Sequence, residues 1–178
     1  MPSLSPIVSA RKGFTLSGTT GEVYSPGKIA AEQPERVLSL TVLSAPHTDA
    51  FLIALRDDET QKQLSRYIQF FRAPGRAAEA VFQTDNCARL RQVCQGKVPE
   101  ATVESNVLRL SAPGALTAVL NWYRALDPDM RIGPVTSPTL FIWGSQDLAV
   151  GEAAAENTRA FVTGLTALSA SKASLTGW

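Results

Sequence analysis

The sequence predicts an α/β protein, a partial parallel sheet with two recognisable strands and an all-helical insert between them. Two runs predict the sheet. Val37-Leu38-Ser39-Leu40-Thr41-Val42-Leu43 and Thr139-Leu140-Phe141-Ile142-Trp143 are short and nearly continuously apolar, as strands covered on both faces are. The insert is predicted by the stretch from about residue 49 to 128, which carries helical periodicity and no strand-like alternation.

Residues 1–28 scatter Ser, Gly, Thr and Pro without a sustained period, so a loop or extended arm is expected there. Residues 29–33 read as the end of a helix, and Pro34-Glu35-Arg36 joins it to the first strand. Helices are expected over 50–55, 60–71, 77–82 (after Pro74-Gly75), 85–94, 99–110 and 115–126 (after Pro113-Gly114), with the prolines and glycines marking the breaks. The second strand ends at Gly144-Ser145-Gln146-Asp147, and a helix over 152–161 follows. After Gly164 the pattern fades into a Ser/Ala/Leu/Thr stretch.

At 178 residues, 44% hydrophobic and 19% charged, the chain has the length and composition of one globular domain. A net charge of +1 with no basic run argues against nucleic-acid partners. No apolar run approaches the roughly 20 residues of a membrane helix, and the first 13 residues lack the apolar centre of a signal peptide. No membrane contact is expected, and a cytoplasmic location is the default. Cys87 and Cys94, seven apart, are too few for a zinc site and wrongly spaced for a redox pair. Neither metal nor cofactor is expected. Thr15-Leu16-Ser17-Gly18-Thr19-Thr20-Gly21 lacks the Gly-Lys-Ser/Thr ending that cradles phosphate.

Four stretches resemble the epoxide-hydrolase branch of the α/β-hydrolases. Gln33-Pro34-Glu35-Arg36-Val37, followed by Leu43-Ser44-Ala45-Pro46-His47, is similar to the sixth strand and the start of the lid. Tyr67-Ile68-Gln69-Phe70-Phe71-Arg72-Ala73-Pro74-Gly75 with Ala78-Glu79 is similar to the first lid helix. Leu120-Asn121-Trp122-Tyr123-Arg124 resembles the lid's return helix. Pro138-Thr139-Leu140-Phe141-Ile142-Trp143-Gly144-Ser145-Gln146-Asp147 resembles the seventh strand and acid loop. The resemblance covers about residues 29–164. It implies a partial α/β-hydrolase sheet with a helical lid, a core of residues 29–48 and 132–164, a lid over 49–131, and a small apolar epoxide as substrate.

In that family an Asp in Gly-His-Asp-Trp-Gly attacks the epoxide carbon, and two lid tyrosines hydrogen-bond the opening oxygen. A His, oriented by a carboxylate, then activates water against the ester. Carried over by position, Tyr67 and Tyr123 match the lid tyrosines, Asp147 matches the orienting carboxylate, and Trp122 falls in the substrate pocket. The Asp motif and the closing His-Trp do not occur as written.

A shifted reading frame accounts for both. Each new codon takes the third base of one residue and the first two of the next. From Phe14 to Gly27, permitted codons then spell His-Leu-Val-Gly-His-Asp-Trp-Gly-Gly-Val-Leu-Ala-Trp, with the Asp straddling Thr19 and Thr20. From Gly164 to Trp178 the same shift permits Pro-Tyr-Arg-Phe-Glu-Arg-Leu-Glu-Gly-Val-Thr-His-Trp-Leu, with the His straddling Leu175 and Thr176. Residues 1–28 and 165–178 are therefore expected to be frameshifted segments that pack poorly.

Two rival readings remain. One is a non-catalytic remnant holding a small apolar ligand between Tyr67, Tyr123 and Trp122. The other is a haloalkane dehalogenase-like hydrolase, which shares the Asp but has no use for paired donors to a ring oxygen. His47, the only histidine, follows the sixth strand rather than the last. A triad of Ser44, His47 and Asp147 is disfavoured, since Ser44 and His47 are only three apart at a strand end.

Overall fold

The computed structural model describes residues 13–19, 24–94, 98–127 and 129–171. Four strands form one parallel sheet in the order β1 (Phe14–Thr19), β2 (Val37–Leu43), β3 (Thr139–Gly144) and β4 (Leu165–Ser171). Parallel neighbours cannot be joined by a tight turn. Helix α1 (Tyr24–Glu32) links β1 to β2, and α9 (Glu152–Asn157) precedes β4. The insert between β2 and β3 holds α2 (Thr48–Asp57), α3 (Glu59–Leu64), α4 (Arg66–Phe71), α5 (Ala77–Gln83), α6 (Ala88–Cys94), α7 (Glu100–Leu110) and α8 (Ala115–Ala125).

The two expected strands form where expected, and the helical insert lies between them. The ends depart from expectation. Phe14–Thr19 and Leu165–Ser171, expected to pack poorly, both pair in the sheet. β2 and β3 each leave one ladder of backbone groups open, and a short segment without proline satisfies it whatever its side chains. Gly164 permits the approach of β4: a Cβ there would lie 2.2 Å from the Ser137 carbonyl oxygen. Residues 1–12 and 172–178, with Thr20, Leu175 and Thr176, lie outside the described residues, as does the Cys94 side chain.

Three helices are shorter than their periodicity suggests. The run expected over 60–71 breaks at Ser65 (φ −91°, ψ 2°) into α3 and α4. The run over 85–94 opens with a 3-10 turn, Asp85–Cys87, in which Asn86 takes φ 53°. The run over 152–161 passes into a 3-10 turn at Thr158–Ala160.

The sheet core comprises Leu40, Val42, Phe141, Trp143 and Val135, covered by Ala30, Ala154 and Ala155. The helical insert has its own core of Ala78, Phe82, Leu116 and Leu120. On α8, Leu116, Leu120 and Tyr123 are buried at helical spacing on one face. Glu79 of α5, only 3% exposed in its side chain, takes a bidentate pair from Arg124 of α8 at 2.8 and 2.7 Å. The guanidinium holds the Glu79 carboxyl down at about 2 against burial, which acts the other way.

Candidate active site

Register brings the carboxyl ends of the strands together: Thr19 pairs with Leu43, Leu43 with Ile142, and Gly144 with Ser171. Open α/β sheets present ligand-binding groups at this edge. Ser44 leaves β2 at φ 52° and is 2% exposed. Asp147 lies three residues beyond the end of β3.

Asp147 is buried in a tight loop. Its Oδ1 accepts from the backbone N–H of Ala149 at 2.8 Å and of Val150 at 3.0 Å. Its Oδ2 is buried and accepts no hydrogen bond from the described residues. The Trp143 indole N–H donates to the Val150 carbonyl at 3.0 Å, anchoring the loop on β3.

Above the loop, Tyr67 of α4 and Tyr123 of α8 meet edge to face, with ring centroids 5.9 Å apart and planes at 84°. Phe71 packs edge-on against both, at 5.3 and 4.8 Å. Burial raises the Tyr67 phenol far above its ordinary value of 10.0, and the charges of Tyr123 and Asp147 add to the rise. Burial alone raises Tyr123. Both phenols therefore keep their protons and are hydrogen-bond donors at any ordinary pH.

Two chambers adjoin the tyrosines, and Tyr67, Tyr123 and Ala149 line both. The larger, about 490 Å³, is walled by Phe70, Phe71, Phe82, Leu116 and Leu120. The smaller, about 290 Å³, is bordered by Ser44, Phe51, Ile68, Met130 and Trp122, the last 42% exposed.

His47 is committed elsewhere. Its Nδ1 accepts from the Asp49 N–H at 3.2 Å, so Nε2 carries the proton and donates to the Gly133 carbonyl at 2.8 Å. The ring stacks on Phe161, and burial is the main reason its pKa is lowered. With both nitrogens engaged, it offers no lone pair for a triad with Ser44.

Sequence reasoning missed Gln61. It lies in the polar run Glu59–Leu64, which carries no apolar signal, yet it is fully buried and touches the acid loop twice. No signal in the sequence could have found it.

The fold is that of the α/β-hydrolases, and the chain is similar to epoxide hydrolases among them. It is similar to human epoxide hydrolase 4, with 29% identity over 75% of this chain and 40% of that protein. It is 32% identical to epoxide hydrolase 3 of Xenopus tropicalis over 66% of this chain and 35% of that protein. Among solved structures, a variant of an epoxide hydrolase from Bacillus megaterium superposes with a TM-score of 0.75 at 19% identity, covering 92% of this chain and 62% of that one. A laboratory-evolved potato epoxide hydrolase gives 0.67 at 18% identity over 94% of this chain and 65% of that one. No family model matches the chain. The chain spans less than half the length of the curated relatives named here. Among the described residues, no helix is long and apolar enough to cross a membrane.

Proposed function

We propose that this site is the retained half of an epoxide-opening active site, and that the chain as translated does not turn over. In the implied reaction, a carboxylate oxygen attacks an epoxide carbon and the C–O bond breaks toward the ring oxygen. Tyr67 and Tyr123 donate hydrogen bonds to the alkoxide as it develops. Water, losing its proton to a His that Asp147 orients, then attacks the ester carbonyl and releases a diol.

The observation that carries this reading is Asp147. Two backbone amides hold one oxygen, while the other is buried without a hydrogen bond from the described residues. Leaving a carboxylate oxygen buried and unserved is costly, and an orienting carboxylate needs that oxygen for its base. In the shifted frame that base is the His across Leu175 and Thr176, beyond β4. The nucleophile is the Asp across Thr19 and Thr20, where β1 ends. A strand that ends at Thr19, helix α1 from Tyr24 and a last strand over Leu165–Ser171 support the frame reading.

As written, threonines and a leucine stand where Asp and His are needed. An unactivated hydroxyl is a weak nucleophile, and losing nucleophile and base together removes many orders of magnitude of rate. The purified chain should form no diol from styrene oxide above background. The full-length gene product rebuilt in the shifted frames should form it steadily. Steady turnover by the chain as written overturns the assignment of inactivity. Codons that spell neither Gly-His-Asp-Trp-Gly nor His-Trp in the shifted frame overturn the frame reading.

The 490 Å³ apolar chamber favours a second reading, a non-catalytic module holding a small apolar ligand. A ligand-induced rise in melting temperature without turnover distinguishes it. The tyrosine pair tells against a dehalogenase, which has no ring oxygen to stabilise. Bromide release from the frame-restored protein would favour one.

A further inference from the structure

Gln61 sits on α3 of the lid, fully buried. A buried amide is costly unless its donors and acceptor are satisfied. Here Nε2 donates to the Ala149 carbonyl at 2.8 Å and to Ser65 Oγ at 2.9 Å, while Oε1 accepts from the Gly151 N–H at 2.8 Å.

The loop's remaining contacts give these bonds their meaning. Ala149 and Val150 donate to Asp147, Val150 accepts from Trp143, and Gly151 accepts from the Ala155 N–H. Every backbone N–H and C=O of residues 149–151 thus has a partner. A peptide unit is a rigid plane with its C=O and N–H on opposite edges. In the Ala149–Val150 unit, Gln61 holds the oxygen and Asp147 accepts from the N–H. In the Val150–Gly151 unit, Gln61 holds the N–H and Trp143 the oxygen.

We infer that Gln61 is a positioning residue for Asp147, acting through these two peptide planes. It also ties the acid loop to the lid, because Ser65, its third partner, is the hinge from which α4 carries Tyr67. One buried amide thus sets the tyrosine-bearing helix and the acid-bearing loop in register. The inference rests on the reading of Asp147 as the orienting acid, but its test needs no turnover.

The test is amide hydrogen exchange in the chain as it stands, with two substitutions. Gln61→Met keeps the volume and removes every hydrogen bond. The Val150 amide, which Gln61 does not touch, should lose protection by about tenfold or more, the order expected for one hydrogen bond, while β3 amides keep theirs. Gln61→Glu replaces the amide with a carboxyl that has a donor and an acceptor only when protonated. Its Val150 protection should match that of the unsubstituted chain at low pH and fall toward the Gln61→Met level once the carboxyl ionises. Unchanged Val150 protection in Gln61→Met overturns the inference, as does equal loss throughout β3. So does a Gln61→Glu chain whose Val150 protection ignores pH. A failed epoxide assay in the frame-restored protein counts against the hydrolase reading and leaves this result standing.

Discussion

The acid loop and the lid border the same two chambers and are assembled in opposite ways. Directed polar contacts hold the loop: a carboxylate on two amides, an indole on a carbonyl, and one side-chain amide across two peptide planes. Rings hold the lid: Phe71 lies against Tyr67 and Tyr123, and Phe70 and Phe82 pack behind them. Hydrogen bonds weaken steeply with misalignment, whereas apolar packing follows area and volume and accepts exchange of shape. The loop therefore defines the place of one oxygen atom, and the lid defines a volume with two donors at its edge.

That division predicts separate kinetic consequences in a frame-restored enzyme, and these are the largest effects expected. On the proposed roles, Asp147→Asn should leave the alkylation burst intact and slow ester hydrolysis by several orders of magnitude, since the restored His would lose its orientation. Tyr123→Phe should slow the burst itself by about 2–4 kcal/mol, as for other oxyanion donors. Pre-steady-state burst measurements decide, and an Asp147→Asn enzyme without a burst breaks the division.

Stability sharpens the same contrast. Phe141, on the strand beneath the loop, is 1% exposed, and Phe141→Ala should cost about 3–5 kcal/mol in urea unfolding. In the lid core, Leu120→Met conserves volume and should cost less than about 1.5 kcal/mol. A larger loss there would make the lid as exacting as the loop.

The Arg124–Glu79 ion pair of the helical insert supplies an acid-dependent exception. Arg124 holds the Glu79 carboxyl at about 2 against an ordinary 4.5. A depressed carboxyl stabilises the fold above its unfolded value. This contribution is present above pH 4.5 and is lost as the pH falls from 4.5 towards 2. The melting temperature should fall over that window, and Arg124→Met should remove that part of the fall while lowering the neutral melting temperature by about 5 °C.

The smallest effect belongs to His47. Burial lowers its pKa below 6.5, so the folded state favours the neutral ring whose Nδ1 accepts from Asp49. Its contribution is complete above pH 6.5 and shrinks as the pH falls through and below that value. A melting temperature flat from pH 8 to 5, with Glu79 still ionised, would show that His47 adds nothing.

What could be read from the chain, and what could not, follows the same physical line. The runs Val37–Leu43 and Thr139–Gly144 were legible because a strand buried on both faces must be apolar throughout. The lid helices were legible because one apolar face repeats every three to four residues, as Leu116, Leu120 and Tyr123 do. Asp147, Tyr67 and Tyr123 were singled out through their flanking residues, not through any periodicity of their own. β1 and β4 were not legible, because pairing belongs to the open ladder they join as much as to their own residues.

The break at Ser65 and the burial of Gln61 lie further out of reach. Glu59–Leu64 is polar enough to be a solvated turn of helix, and only the acid loop lying against it makes Gln61 a buried residue. By itself, then, the sequence determined strands β2 and β3 and the helical insert between them, since hydrophobic pattern is local. The tertiary structure alone decided which strands complete the sheet, which carbonyl takes the His47 Nε2 proton and which amide braces Asp147. Each of these is a hydrogen bond between segments far apart in the chain, and no local pattern encodes its partner.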